Sequence, residues 1–466
     1  MLSIFDTKTR KIVELVPADG KTVKMYTCGP TVYNYPHIGN LRTYVFEDLL
    51  RRTIRFFGMG VYQVMNLTDI DDKTIRGALA KNVSLNEFTD VYKQAFFQDL
   101  ESLQIEKAEK YPAATDHIPE MIAMIQTLID KGIAYKTEDG NVFFRIARFP
   151  AYGGLSHLNL KDLKEGASQR VSNDEYEKES VSDFALWKAY EPEKDGKIYW
   201  ESPWGKGRPG WHIECSAMAI RYLGETLDLH MGGVDNIFPH HENEIAQSEG
   251  CTGKIFSKYW MHSEHLLVDG KKMSKSLGNF FTLRDLFAKG YKGREIRYLL
   301  LSTHYRTQLN FTFEGLEAAR HSLKRIDDFI LRIKQVDVMS EFSIDVDLHQ
   351  FEEGFKSSLA EDLNISNALA ALFDFIRKIN TCCDSGKLGK SQATQILNLF
   401  NKLDTVLAIF SHDEEKAPLE IEEKAQRRLT ARLEKDWKLA DILRKEIDTA
   451  GYIVEDSPTS YLLKRK

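Results

Sequence analysis

The pattern of apolar residues between positions 22 and 65 changes twice along the chain. Residues 22–28 read as a short buried strand, and residues 41–57 carry apolar side chains at helical spacing. Gly58 is a favourable stop for this helix, and a second strand follows at 61–65. Strand, helix and strand over about forty residues form the opening unit of a parallel sheet of the Rossmann kind. We therefore predict an α/β fold built on such a sheet.

The turn between this strand and this helix reads Pro36-His37-Ile38-Gly39-Asn40. His37, the backbone N–H of Gly39 and the start of the helix face one space, where unpaired N–H groups and the helix dipole favour an anion. The turn therefore predicts a site for the phosphates of ATP. An ordinary strand-to-helix turn with an incidental histidine is the alternative.

A basic loop, Lys272-Met273-Ser274-Lys275-Ser276, lies far downstream. On its own it is typical of a solvated surface loop. The phosphate turn comes first in the chain and the lysine loop second, and both lie on a nucleotide-binding pattern. This order is similar to the paired signatures of class I aminoacyl-tRNA synthetases. The pair predicts a nucleotide held between two halves of one site.

Thiols, imidazoles and carboxylates are grouped in a way that indicates a metal. The cysteines are few, odd in number and irregularly spaced, which favours reduced thiols over disulfides. They are Cys28, Cys215, Cys251, Cys382 and Cys383. The segment 238–244 adds His240, His241 and Glu244, and soft thiolates with imidazole and carboxylate suit zinc. Glu244 shares a helix face with either histidine, so spacing leaves the choice between them open.

Size and charge set further limits. At 466 residues the chain is too long for one core, and roughly two to four domains are expected. The net charge of -6 gives no overall basic field, so a nucleic-acid surface must be local. The first residues lack a secretory signal, and we find no apolar run of bilayer length. We expect a cytoplasmic protein without a membrane segment, acting as a monomer.

Longer motifs make the resemblance specific. Residues 27–33, 66–73, 207–218 and 238–247 resemble those of cysteinyl-tRNA synthetases, and the similarity runs through the whole length. The resemblance implies one zinc ion per chain in the amino-acid pocket. Its ligands would be Cys28, Cys215, His240 and Glu244.

The family's reaction joins cysteine to tRNA in two steps. L-cysteine and ATP, which carries Mg²⁺, give cysteinyl-adenylate and pyrophosphate, and tRNA(Cys) then takes the cysteine on its 3′-terminal ribose. A zinc ion would bind the substrate thiolate and reject the hydroxyl of serine, so no editing step is required.

The resemblance also implies roles for single residues. The catalytic and ATP-binding residues would be His37, Gly39, Asn40, Asp235, Lys272 and Lys275. The amino-acid pocket would be lined by Cys28, Gly29, Thr68, Trp211 and His230. The alternatives are a helix cap for Thr68 and a core aromatic for Trp211.

One signature residue departs from the family pattern. The phosphate turn of the family usually ends in histidine, whereas this chain has Asn40. Asparagine can donate a hydrogen bond but cannot become cationic. We expect the phosphate contact to persist in a weaker form.

The last module, 424–466, reverses the charge of the chain, with eleven Lys or Arg against seven Asp or Glu. Residues 429–447 have a helical pattern. The resemblance implies an anticodon site, because an aromatic stacked on an unpaired base with polar groups at its edges suits single-stranded RNA. Its residues would be Arg432, Trp437, Asp441 and Asp456. A solvated helix with a core tryptophan is the alternative.

The predicted organisation has a sheet domain split by an insertion, a helical bundle and the terminal module. The boundaries are 1–134 and 196–315 for the two halves of the catalytic domain, 135–195 for the insertion, 316–410 for the bundle and 411–466 for the module. Two other functions stay open from the sequence. One is a ligase of the same fold that joins activated cysteine to an amino sugar, and the other is a zinc-stabilised RNA-binding protein without catalysis.

Overall fold

The computed structural model describes residues 1–158, 183–274, 277–410, 418–456 and 461–465. Lys275, residues 159–182 of the predicted insertion, and the link at 411–417 lie outside the described residues. The strands are β1 Ser3–Asp6, β2 Lys11–Glu14, β3 Thr22–Thr27, β4 Gly60–Met65, β5 Ala134–Lys136, β6 Val142–Phe144, β7 Phe184–Ala189, β8 Gly207–Pro209, β9 Leu227–Gly233, β10 Ser257–Ser263, β11 Leu266–Val268, β12 Lys271–Lys272, β13 Leu309–Phe311, β14 Tyr452–Asp456 and β15 Tyr461–Arg465.

The α-helices alternate with these strands in the first half of the chain and dominate the second. They are α1 Ile38–Phe56, α2 Asp72–Lys81, α3 Leu85–Ser102, α4 Ile118–Asp130, α5 Pro192–Asp195, α6 Trp211–Leu223, α7 Glu242–Thr252, α8 Leu283–Ala288, α9 Gly293–Ser302, α10 Phe313–Lys334, α11 Asp345–Ala360, α12 Ile365–Asp384, α13 Lys390–Leu407, α14 Leu419–Leu433 and α15 Trp437–Thr449.

The central sheet is parallel and has the strand order β10-β9-β3-β4. Strand β9 is buried along its whole length and β3 is buried over its last three residues, as in a sheet covered by helices on both sides. The predicted strand, helix and strand of residues 22–65 are present, and α1 begins three residues earlier than its apolar pattern. The predicted parallel α/β fold is confirmed.

The insertion folds as an antiparallel sheet in the order β5-β6-β7-β8. Its last strand reaches Pro209, beyond the predicted boundary at residue 195. A smaller sheet, β12-β11-β13, carries the base of the lysine loop, because β12 ends at Lys272. The predicted loop therefore begins at the end of the antiparallel pair of β11 and β12.

The helical bundle differs in one detail from its sequence pattern. The apolar segment 351–379 is divided into α11 and α12, because Asp362 and Leu363 adopt positive φ values of 54° and 56°. The bundle is tied to the catalytic domain at the end of α13. Arg52 and Arg297 donate hydrogen bonds to the carbonyls of Thr405 and Leu407, at 3.0 and 2.8 Å. These cations complement the negative end of the helix dipole.

The terminal module has a small core of its own. Ile421, Ala425, Ile447 and Val454 pack together where α14 and α15 cover the β14–β15 hairpin. The predicted single helix over 429–447 is wrong, because it is interrupted near Lys435, whose φ is 62°. Among the described residues, no helix combines the length and the apolar character that crossing a bilayer requires.

Candidate active site

The carboxyl ends of the parallel strands bring the predicted site residues to one edge of the sheet. Cys28 directly follows β3, and Thr68 lies just beyond β4. His230 on β9 is paired with Tyr26 of β3 and Trp260 of β10. Ligand sites in open parallel sheets lie at this edge.

Four potential metal ligands converge there: Cys28, His240, His241 and Glu244. One ligand atom from each lies within 4.8 Å of all the others. The Sγ of Cys28 lies 3.2 Å from Nε2 of His241 and 4.0 Å from Oε1 of Glu244, and Nε2 of His240 lies 2.9 Å from the same Oε1. The two histidines and the glutamate are buried. This set of thiol, imidazoles and carboxylate fits a zinc ion.

Cys215 lies beside this cluster, buried on α6. Burial acts to raise the pKa of the Cys215 thiol, but hydrogen bonds from Cys28 and His240 lower that pKa to about 6. The bond that Cys28 donates to Cys215, together with burial, raises the pKa of Cys28 well above its usual range. Cys215 therefore contacts two of the four converging residues.

The electrostatics of the cluster favour a cation. Burial disfavours the charged forms of His240 and Glu244. The attraction between the imidazolium and the carboxylate is larger than this cost of burial. The pKa of His240 is raised to about 10, and His230 and His240 lower the pKa of Glu244 to about 2. A positive charge at this position is thus matched by a buried carboxylate.

The ligand side chains are held by outer contacts. His212 shares an Nδ1–Nδ1 hydrogen bond of 2.9 Å with His240, and the Nε2 of His230 lies 2.7 Å from Oε2 of Glu244. Such outer partners fix the orientation of metal-binding imidazoles and carboxylates. His212 was not predicted as a site residue, although it lies inside the motif 207–218.

A second relay reaches the site from the amino terminus. The Nδ1 of His241 lies 2.8 Å from Nε2 of His262, and Nδ1 of His262 lies 2.8 Å from Oγ1 of Thr7. No local signal in the sequence could have found His262 or Thr7, because they meet only where the residue after β1 approaches the edge strand β10, with the N–H of Thr7 donating to the carbonyl of Trp260 at 2.8 Å. The relay connects Cys28 to the residue that follows the first strand of the chain.

The insertion is fastened to the helix that carries the ligands. Glu242 is buried, and its carboxylate accepts hydrogen bonds from the backbone N–H groups of Gly153, Leu155 and Ser156, at 2.7, 3.1 and 2.9 Å. Tyr152 donates to Asn243 beside it. The loop at 152–156 is thereby held against the residues that separate His241 from Glu244.

Gly29 and Thr68 share a hydrogen-bonded wall. The N–H of Gly29 donates to Oδ1 of Asn66 at 2.9 Å, Nδ2 of Asn66 donates to Oγ1 of Thr68 at 3.0 Å, and Thr68 donates to Glu214 at 2.9 Å. A Cβ added at Gly29 would overlap the backbone carbonyl of Asn66. The helix-cap alternative for Thr68 is wrong, because Asp71 is the cap of α2. Asn66 and Glu214 were missed as individual residues.

Trp211 is half-buried, and its indole stacks on the ring of His240.

The phosphate turn caps α1. His37 is its N-cap, with Nδ1 accepting from the N–H of Asn40 at 3.2 Å, and Oδ1 of Asn40 accepts from the N–H of His37 at 3.2 Å. A Cβ added at Gly39 would lie 2.9 Å from Nδ1 of His37 and 3.2 Å from Cε of Met273. The turn and the lysine loop, far apart in sequence, are therefore in contact.

The remaining predicted nucleotide residues are Asp235, Lys272 and Lys275. Asp235 is exposed on the turn that follows β9, and Gly233 leaves room for its carboxylate. Lys272 is exposed at the end of β12, and Lys275 lies outside the described residues. The structure thus brings His37, Gly39, Asn40 and the start of the lysine loop together.

The predicted anticodon residues do not form one cluster of unpaired groups. Trp437 is 61% exposed at the start of α15, so the core-tryptophan alternative is wrong. Asp441 is exposed on the same helix. Asp456 instead accepts two hydrogen bonds from Arg428 and forms an ion pair with Arg432 at 2.7 Å. Arg428 was missed by the sequence reasoning.

Comparison with known proteins places this fold and site in a class. Residues 14–321 match the family described as "tRNA synthetases class I (C) catalytic domain", and residues 354–411 match the DALR domain. The Mycobacterium tuberculosis methionyl-tRNA synthetase in complex with methionyl-adenylate superposes with a TM-score of 0.59 at 16% identity, over 83% of this chain and 89% of that one. A leucyl-tRNA synthetase of Agrobacterium radiobacter K84, in a ternary complex with tRNA, gives 0.60 at 12% identity, over 84% of each chain. The fold is that of a class I aminoacyl-tRNA synthetase.

Relatives of closer sequence narrow the assignment. The cysteine–tRNA ligase of Protochlamydia amoebophila is 57% identical, over 100% of this chain and 98% of that protein. The cysteine–tRNA ligase of Chlamydia felis is 55% identical over the same shares. The chain belongs to the cysteine–tRNA ligase family.

Proposed function

We propose that this protein activates L-cysteine with ATP and transfers it to tRNA(Cys), and that one zinc ion at the cluster around Cys28 selects the substrate. The carboxylate of cysteine attacks the α-phosphate of ATP, pyrophosphate leaves, and cysteinyl-adenylate forms. The 3′-terminal ribose hydroxyl of the tRNA then attacks the activated carbonyl and AMP leaves. The convergence of four ligand-type side chains at the carboxyl edge of the sheet carries this proposal.

The zinc ion would supply a direct bond to the thiolate of the substrate, which the hydroxyl of serine cannot form. The residues of the chain shape the space around that bond. Trp211, which stacks on His240, and Gly29 and Thr68, which Asn66 joins, would line the amino-acid pocket, and His230 holds Glu244 by a 2.7 Å hydrogen bond. Walls of this kind orient the amino acid so that its carboxylate can meet the phosphate.

We propose Cys28, Cys215, His240 and Glu244 as the ligands, with His241 as a neighbour that orients Cys28. The contacts of Cys215 with Cys28 and His240 support this set. His241 is the rival for the fourth position, because its Nε2 lies 3.2 Å from Sγ of Cys28. Zinc content separates the two sets: Cys215→Ala should lose the bound zinc, and His241→Asn should retain it. The reverse result would make His241 the ligand.

The nucleotide is assigned to the phosphate turn and the lysine loop. His37, Gly39 and Asn40 would receive the phosphates of Mg²⁺-bound ATP at the amino terminus of α1, with Lys272 and Lys275 closing from the loop. Asp235 would border the nucleotide from the end of β9. The contact between Gly39 and Met273 supports this arrangement, since it joins the two segments.

The terminal module is assigned to the anticodon. Trp437 would stack on an unpaired base, and Arg432, Asp441 and Asp456 would read polar edges. The exposure of Trp437 supports this role. For the domains we keep the predicted boundaries and move the end of the insertion to residue 209, because β8 belongs to its sheet.

The deciding experiment is the exchange of labelled pyrophosphate into ATP, with cysteine or serine as substrate. We expect exchange with cysteine, little with serine, and loss of exchange after zinc is removed by a chelator and recovery when it is restored. Aminoacylation of tRNA(Cys) completes the test. Absence of cysteine-dependent exchange would contradict enzyme function, and exchange without tRNA charging would favour the amino-sugar acceptor.

A further inference from the structure

Arg284 joins the phosphate turn to helix α3. Its guanidinium carbon lies 4.0 Å from the centre of the Tyr35 ring. Its Nη1 donates to both carboxylate oxygens of Asp99, at 2.9 and 3.1 Å. Asp99 is buried on α3, with 3% of its side chain exposed, so it forms a fixed anchor. Arg284 is thus held at one end and lies on Tyr35 at the other.

Tyr35 precedes His37 by two residues, at the entry to the phosphate turn. Its ring also meets the edge of Tyr92 on α3, with centroids 5.5 Å apart. Tyr35 therefore contacts both Arg284 and Tyr92. Tyr92 belongs to α3, and Arg284 is hydrogen-bonded to Asp99 of the same helix.

The rest of the turn is fastened to the segment that ends at Arg284. The N–H of Ile38 donates to the carbonyl of Phe281 at 2.9 Å, and His37 forms an antiparallel bridge with Thr282. The ring of His37 meets the edge of Phe280 at 5.1 Å. Residues 280–284 consequently lie alongside the phosphate turn, and their position is coupled to that of the turn.

We infer that Arg284 is a positioning residue for ATP binding, which acts by holding Tyr35 and the adjoining segment so that the phosphate turn is pre-formed. This inference rests on the proposed role of the turn in binding ATP. A cation over an aromatic face and a charged hydrogen bond to a buried carboxylate both restrict the segment before ATP arrives. A pre-formed turn loses less conformational freedom when it binds its ligand.

The test compares two pairs of variants. Arg284→Met and Tyr35→Leu remove the contact from either side. The matched controls are Arg320→Met and Tyr291→Leu. The guanidinium carbon of Arg320 lies 4.8 Å from the centre of the Tyr291 ring, and Arg320 also donates hydrogen bonds to carboxylates. Arg320 belongs to α10 and not to the segment beside the phosphate turn. The dissociation constant of Mg²⁺-ATP is measured by calorimetry without cysteine, and KM for each substrate is measured by pyrophosphate exchange.

We expect Arg284→Met and Tyr35→Leu each to weaken ATP binding by about tenfold, the scale of one such contact. KM for cysteine should change by less than about twofold, and the controls should bind ATP as the unaltered protein does. Arg284→Lys should recover part of the loss, because lysine keeps a cation over the ring. The double variant should lose no more than either single variant if both act through one contact.

Several results would overturn the inference. Unchanged ATP binding in both variants would do so, and so would equal changes in KM for ATP and for cysteine, since that indicates general loss of structure. Thermal unfolding of each variant identifies such loss independently. Failure of the proposed function has a different signature, namely no cysteine-dependent exchange by the unaltered protein, whatever its affinity for ATP.

Discussion

The imidazole of His240 lies against the indole of Trp211, with ring centroids 4.1 Å apart and planes inclined by 19°. On its other nitrogen the same imidazole shares a hydrogen bond with His212. The ring is therefore fixed in two ways, and its Nε2 is directed toward Glu244. A site held like this is prepared before an ion arrives.

Trp211→Ala should weaken zinc binding by roughly ten- to a hundredfold, the usual cost of losing an orienting partner. Trp211→Phe should retain most of the affinity, because a phenyl ring can stack in the same place. Competition with a zinc chelator measures both. Equal affinities in all three proteins would mean that the stacked pair does not orient His240.

Asn40→His should leave the exchange of pyrophosphate intact or raise it. The ring nitrogen of histidine can accept the same hydrogen bond from the N–H of His37, and its charged form adds attraction to phosphate. Asn40→Ala is the control, and it should cost about 1 kcal/mol of stability through the lost capping interaction. A collapse of exchange in Asn40→His would refute the role assigned to this position.

Trp437→Ala should lower the charging of tRNA while sparing the formation of adenylate. The loss should be about ten- to a hundredfold in kcat/KM for tRNA, the scale of one stacked base. Leu419→Ala is a suitable control, because Leu419 is 77% exposed in the same module. Parallel loss of charging and of pyrophosphate exchange would contradict an anticodon contact.

Acid should loosen the terminal module. The hydrogen bonds from Arg428 lower the pKa of Asp456 below its ordinary value of 3.8. Because the folded pKa is the lower one, the pair stabilises the module at pH values above about 4, and this stabilisation is lost as the pH falls through the folded pKa. The protection of backbone amides in the β14–β15 hairpin against hydrogen exchange, taken relative to their intrinsic rates at each pH, should therefore fall below about pH 4.

In Arg428→Met the exchange of this hairpin should already be fast at neutral pH and should vary less with acidity. Protection that stays constant down to pH 3 in the unaltered protein would show that the pair contributes little to the module.

The sequence predicted the helices and strands whose apolar residues recur with one clear spacing. The helix after the phosphate turn and the strands at β3 and β4 were all placed to within three residues. Strand β10 was missed, because its polar residues Ser257, Lys258 and His262 interrupt the apolar run that marks a buried strand. The breaks at Asp362 and Lys435 were missed because both are non-glycine residues at positive φ, which apolar spacing does not reveal.

By itself the sequence determined the class of fold, the family, and the kinds of side chain that the site would contain. These follow from the local spacing of apolar residues and from short motifs. The tertiary structure decided which of those side chains meet. Cys28 lies 213 residues from His241, and Thr7 lies 255 residues from His262, yet both pairs are in hydrogen-bonding range. The physical reason is that the order of strands in the parallel sheet and the packing of the first segment against β10 set these neighbours, and the spacing of residues along the chain carries no record of either.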